Sequence, residues 1–278
     1  MMVLRKMMDI ANSPRERAIA WLLIGAIFFA MRSCEYCKTS GEENKRTRIV
    51  RLKNITFKKQ NKILAHSDEN LAQADIVQIE FEYQKNDRRN VKVHMFRSGD
   101  SLLCPVIAWA TTVKRVLKVQ GASDLSEVCL FEDERGRTSL LQATHIRSRL
   151  RAVVAVIGSE SLGFDKDDIG LHSLRSGGAM AMFLSGISVI VIQRVGRWSS
   201  EAFLEYIREQ LESFTLDVSK KMLCFEEFLN LSDNNNASNF TNVSDAEMDD
   251  EQNDDGPETI PFGIRFNTLS LHEDERIG

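Results

Sequence analysis

The stretch HSLRSGGAMAMFLSG, residues 172–186, places two basic side chains at the start of a run of small and apolar residues. His172 and Arg175 are three positions apart, so a helix presents both from the same face. Polar side chains are common at helix starts, and that explanation is sufficient for either residue alone. The sharper interpretation is that both donors converge on one anion, while the small residues of GGAMAM let the helix pack closely beneath them.

The composition indicates a folded, basic body followed by an acidic extension. Of the 278 residues, 43% are hydrophobic and 27% are charged, which is enough apolar sequence for one large domain or two modest ones. From Leu231 to Gly278 there are 12 acidic and 2 basic residues, whereas the remainder has 34 basic and 28 acidic residues. This asymmetry is typical of a domain that binds a polyanion. We therefore expect a folded domain over residues 1–229 and a mostly disordered tail over residues 230–278.

The cysteines and the most apolar segment indicate an intracellular protein without a membrane span. The five cysteines are an odd number, so we expect reduced thiols and not a disulfide framework. Cys34 and Cys37 have C-x-x-C spacing, but no second pair completes a zinc site, and we predict no metal. The apolar run of residues 18–31 is only 14 residues long and is flanked by charge, so it predicts a buried helix and neither a membrane span nor a signal peptide.

Local patterns predict a series of helices interrupted by a small antiparallel sheet. Ser13 and Pro14 form a helix-start signal, an N-cap followed by proline at the first helical position. Two alternating segments around the polar turn QKNDRRN predict a β-hairpin with a basic tip. The predicted helices are residues 14–31, 105–119, 140–157, 172–186, 188–196 and 199–214, and the predicted strands are residues 47–57, 75–83 and 91–96. This mixture predicts an α+β fold, mostly helical with a small antiparallel sheet or hairpin.

Four motifs follow one another along the chain and together carry a resemblance. They are MRSCE (31–35), HSLR (172–175), SGISVIVIQRVGRW (185–198) and GRWSSEAFLEYIR (196–208). The series resembles the catalytic domain of the tyrosine recombinases, the phage-integrase-like enzymes that exchange DNA strands. The segments QKNDRRN, LCPVIAWA and GRWSSEAFLEYIR, in this order, further resemble recombinases of eukaryotic mobile elements of the Crypton and DIRS type. The resemblance covers about residues 14–225, and the motifs in this order are far more specific than any one of them.

The resemblance implies a DNA strand-exchange enzyme, a site-specific recombinase or integrase of a mobile element, that needs no metal, nucleotide or other cofactor. The Tyr206 hydroxyl would attack a DNA phosphodiester, form a 3′-phosphotyrosyl bond and release a 5′-hydroxyl. Arg32 and Arg175 would clamp the phosphate with planar, permanently charged guanidinium groups. His172 would add a donor or help to move the tyrosine proton, and Lys85 would protonate the leaving oxygen.

The same resemblance implies supporting residues behind these groups. Glu35 would orient its neighbours as a carboxylate that does not itself touch DNA. Arg197 aligns with a position at which most family members have histidine or tryptophan, and Trp198 lies beside it. Either residue can serve at this position, Arg197 as a phosphate donor or Trp198 through packing and its indole N–H.

Double-stranded DNA is the implied partner. The basic residues Arg88 and Arg89 at the hairpin tip, and Arg147 on a predicted helix, are candidates for contact with its backbone. Recombinases of this family act as tetramers on paired sites, so the resemblance implies a homo-oligomer on DNA and no membrane partner. It also implies a nuclear protein if the source is a eukaryotic mobile element, and a cytoplasmic one otherwise.

Alternatives remain open for several of these residues when each is taken alone. Arg32 also fits a cation that closes a helix, and His172 also fits a capping or core histidine. Tyr206 also fits a core aromatic residue with its hydroxyl at the surface. Lys92, on the second strand of the hairpin, is the alternative to Lys85 as the catalytic lysine, because the register of the hairpin is uncertain.

One departure from the family pattern bears on function. Family members usually carry an N-terminal helical domain that clamps the other face of DNA, whereas only about 13 residues precede the first predicted helix. The chain is therefore a fragment, a degenerate copy or a protein with a different clamp. A catalytically idle DNA-binding protein derived from such a recombinase is the alternative function. A third is an interaction module that recruits a partner through the acidic tail or IPFGIRF (260–266).

Overall fold

The computed structural model describes residues 1–39, 47–83 and 89–198, which form a set of helices and a small sheet. The helices are α1 (Met2–Asp9), α2 (Pro14–Phe28), α3 (Ser33–Tyr36), α4 (Pro105–Leu117), α5 (Ala143–Ile157), α6 (Ser159–Leu162), α7 (Leu171–Leu184) and α8 (Val189–Gly196). The strands are β1 (Ile55–Lys59), β2 (Lys62–Leu64), β3 (Ile76–Tyr83), β4 (Arg89–Phe96), β5 (Leu130–Glu132) and β6 (Thr138–Leu140). The fold class is α+β, as predicted. The predicted helix over 199–214 and the predicted tail over 230–278 lie outside the described residues.

Helix α2 is the centre of the core. Its start is a capping box, in which the Ser13 Oγ accepts from the Glu16 N–H at 3.2 Å and the Glu16 carboxylate accepts from the Ser13 N–H at 3.3 Å. Nine residues of the helix are buried, and it packs against α1, α4 and α7. The prediction of a buried apolar helix is therefore confirmed. Among the described residues, no helix combines the length and the apolarity that crossing a membrane requires.

The main sheet has four antiparallel strands in the order β2-β1-β3-β4. Val77, Ile79 and Phe81 alternate along β3 and are buried, so this face of the strand covers the core. Glu80 on the other face lies opposite Lys92 of β4. Both predicted hairpin strands are confirmed, and residues 84–88 between them lie outside the described part of the chain. Helix α4 packs against both strands.

The predicted strand over residues 47–57 was wrong in its first half, because β1 begins only at Ile55. Residues 52–54 form a 3₁₀ turn instead. The backbone N–H groups of Leu52 and Lys53 donate to the carbonyl oxygens of Ser126 and Asp124, at 3.0 and 2.7 Å. The Asn54 side chain accepts from the Arg51 N–H at 2.9 Å. These bonds take backbone groups that a strand ladder would need.

Two predicted helices are shorter than expected. The helix predicted to reach Met31 ends at Phe28, and Ala30 then has a positive φ of +42°. Arg32 is therefore not the last residue of α2 but the extended residue that precedes α3. The helix predicted from Leu140 begins at Ala143, because residues 138–140 pair with β5 as β6. Helices α1, α3 and α6 and strands β2, β5 and β6 were not predicted.

Two glycines let the helices approach α2 closely. A Cβ on Gly25 would lie 2.8 Å from the Trp109 ring on α4. A Cβ on Gly178 of α7 would lie 2.6 Å from the carbonyl oxygen of Ile27 on α2, and backbone cannot move aside as a flexible side chain can. The prediction that the small residues after Arg175 allow close packing is confirmed at Gly178. By contrast, a Cβ on the neighbouring Gly177 would meet nothing within 4 Å.

Substitution of these adjacent glycines should have opposite effects on stability. We expect Gly178→Ala to lower the free energy of unfolding by roughly 1–3 kcal/mol, the usual cost of overpacking, because α7 has to move away from α2. Gly177→Ala should leave stability unchanged or raise it by up to about 1 kcal/mol, since alanine is the better helix former. Urea unfolding followed by circular dichroism measures both, and equal effects at the two positions would contradict the close α2–α7 contact.

Candidate active site

The predicted catalytic and supporting residues that the structure describes lie where four segments meet. These segments are the turn between α2 and α3, the start of α7, the end of α8 and strand β3. The clearest sign of the convergence is Arg175, whose guanidinium donates to the carbonyl oxygen of Ala30 from 145 positions away. A second is Arg197, which reaches Glu35 across 162 positions. Residues that are distant in the sequence are thus brought to one place.

Glu35 is the buried centre of this cluster, with 1% of its surface exposed. Its Oε2 accepts from the backbone N–H of Arg32 at 2.8 Å and from the Arg197 Nη2 at 2.7 Å. Its Oε1 accepts from the Arg32 Nη1 at 3.1 Å. Both carboxylate oxygens are therefore engaged, and Glu35 links one arginine inside the core to another at the surface.

Arg197 is buried, with 1% of its surface exposed, at a left-handed turn (φ +59°) that ends α8. Besides Glu35, its guanidinium donates to the carbonyl oxygens of Phe29 and Val195, at 2.9 and 3.0 Å. The Cζ atom lies 3.6 Å from the centroid of the Phe81 ring. Burial lowers the pKa of Arg197, while the Glu35 charge opposes that shift. Direct donation to phosphate by Arg197 stays a prediction, and this position favours a role inside the core.

Arg175 is also buried, and its guanidinium lies between two helix ends. It donates to the Ala30 carbonyl oxygen after α2 and to the Gly196 carbonyl oxygen at the end of α8. Carbonyl groups at helix C-termini have no partner within the helix and carry partial negative charge, so they suit a cation. Trp198 covers the guanidinium, with the Arg175 Cζ 4.1 Å from the ring centroid. The ring lies across Gly196, where any Cβ would clash with it.

His172 is exposed at the start of α7, one turn before Arg175. The pKa of His172 is lowered by desolvation of the part of the ring that faces the protein, and then by the positive charges of Arg175 and Arg32. Arg32 is partly exposed, with 21% of its side chain accessible. His172, Arg175 and Arg32 thus lie close enough together to interact electrostatically.

The other predicted residues fall in different places. Lys85, Arg88 and Tyr206 lie outside the described residues, so their roles stay predictions. Lys92 forms an ion pair with Glu80 at 3.5 Å, on the face of the sheet opposite Phe81 and Arg197. That placement disfavours Lys92 as the catalytic lysine.

The predicted DNA contacts Arg89 and Arg147 are both exposed, on β4 and α5. The Arg89 guanidinium lies 5.4 Å from the centroid of the Tyr83 ring, and that of Arg48 lies 4.5 Å from the same centroid. The Tyr83 ring therefore carries two cationic side chains that are open to solvent. Their approach to DNA stays a prediction.

The cysteines near the site are poorly suited to nucleophilic or ligand chemistry. Burial raises the pKa of the Cys37 thiol, and burial together with the Glu35 charge raises that of Cys34. A thiol has to ionise before it binds a metal or attacks. Among residues 1–39, 47–83 and 89–198, no group of histidine, cysteine or acidic side chains is arranged to hold a metal ion.

The arrangement is suited to binding an anion. Arg32 and Arg197 bind the carboxylate of Glu35. Arg175 and His172 lie near Arg32. Three arginines are thus set against one carboxylate in this cluster, and the resulting excess of positive charge attracts negative groups. Arg32 and His172 are the members that solvent reaches. A phosphate group is a good match, since guanidinium groups bind its oxygens in pairs.

Sequence reasoning missed the residues that support the buried arginines. Phe81 was expected only to be a core residue of its strand, and the carbonyl groups of Phe29 and Ala30 were expected to lie inside a helix. The alternation along residues 75–83 showed that Phe81 faces inward but carried no sign of the cation stacked on it. No local signal indicated where α2 ends, because its apolar run continues to Met31.

Comparison with known proteins gives a partial likeness. No family model matches the chain, and no curated protein matches it. Among solved structures, it is similar to the XerH site-specific recombinase bound to a palindromic difH substrate in a post-cleavage complex, with 16% identity, a TM-score of 0.48 and coverage of 78% of this chain and 50% of that one. The pre-cleavage complex of XerH with its difH substrate gives 17% identity, a TM-score of 0.46 and coverage of 78% and 51%. The chain thus spans about half the length of these recombinase chains.

The electrostatic environment of His172 can be tested by titration. We expect His172 to titrate below its ordinary pKa of 6.5, and Arg32→Gln to raise this pKa because it removes one of the two neighbouring positive charges. NMR of the histidine ring protons measures the titration, with His172→Gln to assign the signal. Arg137→Gln, which removes an exposed arginine paired with Asp133, should leave it unchanged. An unaltered His172 pKa in Arg32→Gln would contradict the proximity of the two side chains.

The same shift determines the sign of a pH effect on stability. Because the folded protein holds the His172 proton less tightly than the unfolded chain, stability falls as the pH drops below about 6.5 towards the lower pKa of the folded state. In His172→Gln this component of the pH dependence should disappear.

Proposed function

We propose that the protein breaks and rejoins DNA through a covalent phosphotyrosine intermediate, as a tyrosine recombinase. The observation that carries the proposal is that Arg175, one turn after His172, donates to the carbonyl oxygen of Ala30, two residues before Arg32, so that these three residues from distant parts of the chain lie together. The ordered motifs of the sequence support the same reading, because they name these three residues independently of the fold.

The proposed reaction is a balanced exchange of phosphodiester bonds. The Tyr206 oxygen attacks the phosphorus, the phosphorus–tyrosine bond forms, and the bond to the 5′-oxygen breaks. The tyrosine proton passes to a base, and Lys85 supplies a proton to the leaving 5′-oxygen. Attack by a 5′-hydroxyl of another strand reverses these steps, so no energy source is consumed.

The described residues have distinct roles in this reaction. Arg32 and Arg175 stabilise the extra negative charge of the transition state. The lowered pKa of His172 keeps its imidazole neutral near pH 7, so the ring can accept the tyrosine proton or donate one N–H to the phosphate. Glu35 holds Arg32 by its backbone and its side chain at once.

The chain contains three tyrosines whose hydroxyl groups are candidates for the nucleophile. Tyr36 is fully buried, its hydroxyl has no hydrogen-bond partner among the described residues, and burial raises its pKa well above the ordinary value. A buried phenol cannot reach a DNA phosphate. Tyr83 lies on β3 between the side chains of Arg48 and Arg89. Tyr206 is the proposed nucleophile, because the motif GRWSSEAFLEYIR that contains it is part of the sequence resemblance to tyrosine recombinases.

We further propose a homo-tetramer on paired DNA sites, an origin in a eukaryotic mobile element and hence a nuclear location. These proposals rest on the sequence resemblance, above all on the QKNDRRN and GRWSSEAFLEYIR motifs. In this scheme the acidic tail from residue 230 onward stays outside the catalytic domain and competes with DNA for the basic surface.

Covalent capture tests the reaction directly. We expect the protein to form a denaturant-resistant adduct with nicked, end-labelled duplex DNA from the flanks of its own gene, since loss of the short strand traps the intermediate. Tyr206→Phe should form none, whereas the matched control Tyr83→Phe should form as much as the unmodified protein. Arg175→Gln should slow adduct formation by about 10²–10³-fold, as loss of one transition-state donor typically does.

The outcomes of covalent capture separate the candidate functions. An adduct that depends on Tyr206 supports the recombinase. An adduct that survives in Tyr206→Phe and disappears in Tyr83→Phe would overturn the choice of nucleophile. Salt-sensitive DNA binding without any adduct would favour the idle DNA-binding protein.

The proposed DNA surface can be tested through the salt dependence of binding. We expect Arg89→Gln and Arg147→Gln each to reduce the slope of log affinity against log salt by about 0.9, the value for one lost phosphate contact. Fluorescence anisotropy with a labelled duplex between about 50 and 200 mM salt measures the slope. Arg137→Gln is the matched control, because its guanidinium is exposed but paired with Asp133. A slope unchanged in both variants would place DNA on another surface.

A further inference from the structure

We propose that Arg197 is a positioning residue that acts on the site through Glu35 and Arg32, and not a donor to the phosphate. This inference rests on the proposed function for its meaning in catalysis, although its structural part can be tested without activity. The two neighbours at the end of α8 then have different roles. Arg197 binds Glu35 in the core, and Trp198 covers the guanidinium of Arg175.

The first step is that Arg197 is held rigidly. Its guanidinium stacks on the Phe81 ring at 3.6 Å and donates to two carbonyl oxygens, those of Phe29 and Val195. These partners belong to β3, to the end of α2 and to α8. The side chain is thus bound to three separate elements of the core, and its guanidinium is already engaged by two carbonyl oxygens and by Glu35.

The second step is that Arg197 orients Glu35. The Arg197 Nη2 donates to Oε2 of Glu35 at 2.7 Å, within a pocket from which water is excluded. A buried carboxylate without a cation is strongly destabilised, so this bond determines where the carboxylate lies. The planar guanidinium adds direction to the attraction, which a lysine ammonium would not.

The third step is that Glu35 orients Arg32. The same Oε2 accepts from the Arg32 backbone N–H at 2.8 Å, and Oε1 accepts from the Arg32 Nη1 at 3.1 Å. Arg32 lies after the end of α2 in extended conformation, with its side chain partly exposed. Without Glu35, this long side chain would sample many rotamers. The relay therefore runs from Phe81 and Arg197, through Glu35, to the partly exposed guanidinium of Arg32.

The geometry of the turn explains why Arg197 itself points inward. Its positive φ reverses the chain, and the next side chain, Trp198, then lies across Gly196 and over Arg175. One residue of the pair faces Glu35 and the other faces the second arginine. Both arginines of the proposed phosphate clamp are thereby held by the same turn.

The proposal can be tested with a double-mutant cycle in which the pKa of His172 is measured. Its pKa depends on the charges of Arg175 and Arg32, so it reports the position of Arg32 in the free protein. We compare the unmodified protein with Arg197→Met, Glu35→Gln and the double variant, by NMR titration of His172. Arg115→Met is the matched control, since Arg115 is another largely buried arginine that donates to two carbonyl oxygens, those of Leu130 and Val128, away from the site.

We expect Arg197→Met and Glu35→Gln each to raise the His172 pKa towards 6.5, because a released Arg32 spends less time near the ring. The double variant should show the same shift as either single variant, since both break one relay. Arg115→Met should destabilise the fold without moving the His172 pKa. Additive shifts in the double variant, or no shift in Arg197→Met, would overturn the proposal. If Arg197→Met does not fold, Arg197→Lys takes its place in the cycle with the same criteria.

Covalent capture then connects the relay to catalysis. We expect Arg197→Met to slow adduct formation on the order of 10- to 100-fold, the effect of a small misplacement of a catalytic group. DNA affinity should change less than about threefold, because Arg197 does not touch DNA. A loss of affinity as large as the loss of rate would identify Arg197 as a DNA contact. If the unmodified protein forms no adduct, the proposed function fails. The His172 pKa values of the Arg197 and Glu35 variants would still show whether Arg197 positions Arg32 through Glu35.

Discussion

The buried ion pair between Glu35 and Arg197 is the interaction on which the rest of the site depends. Removing two charges from water costs several kcal/mol for each ion, and the attraction between them repays this only when the remaining polar atoms also have partners. In this protein the carboxylate accepts from Arg32 as well, and the guanidinium donates to two carbonyl oxygens and stacks on Phe81. The pair is therefore tolerated because four segments of the chain supply its partners.

Helix ends provide most of those partners. The carbonyl groups at the end of α2 lack partners within the helix, and two arginines from the far end of the described chain donate to them. The end of α8 supplies the Gly196 carbonyl to Arg175 in the same way. Cations are stabilised at helix C-termini, so the early termination of α2 is what makes room for this cluster of like charges. Close packing of α7 on α2 at Gly178 brings Arg175 within reach.

A positively charged site needs both a rigid arrangement and access for a negatively charged ligand, and different residues supply these two properties in this protein. Arg197 is buried and neutralised by Glu35, so it contributes rigidity. Arg32 and His172 are reached by solvent, so they are available to a negatively charged ligand. Arg175 lies between these extremes, buried under Trp198 yet next to His172. A site of this kind is preorganised, and preorganised donors stabilise a developing negative charge without having to rearrange.

The sequence by itself determined the local elements and the identities of the polar residues. The capping signal at Ser13, the alternation over residues 75–83 and the helix from residue 172 all appear in the structure, because each depends on interactions between near neighbours in the chain. The ordered motifs also selected Arg32, His172 and Arg175, which the fold brings together. Only the tertiary structure decided that α2 stops at Phe28, that Lys92 lies on the far face of the sheet and that Arg197 points into the core. Arginine is rarely buried, and the bonds of Arg197 to Glu35 and Phe29 span 162 and 168 positions, so no local pattern could place it.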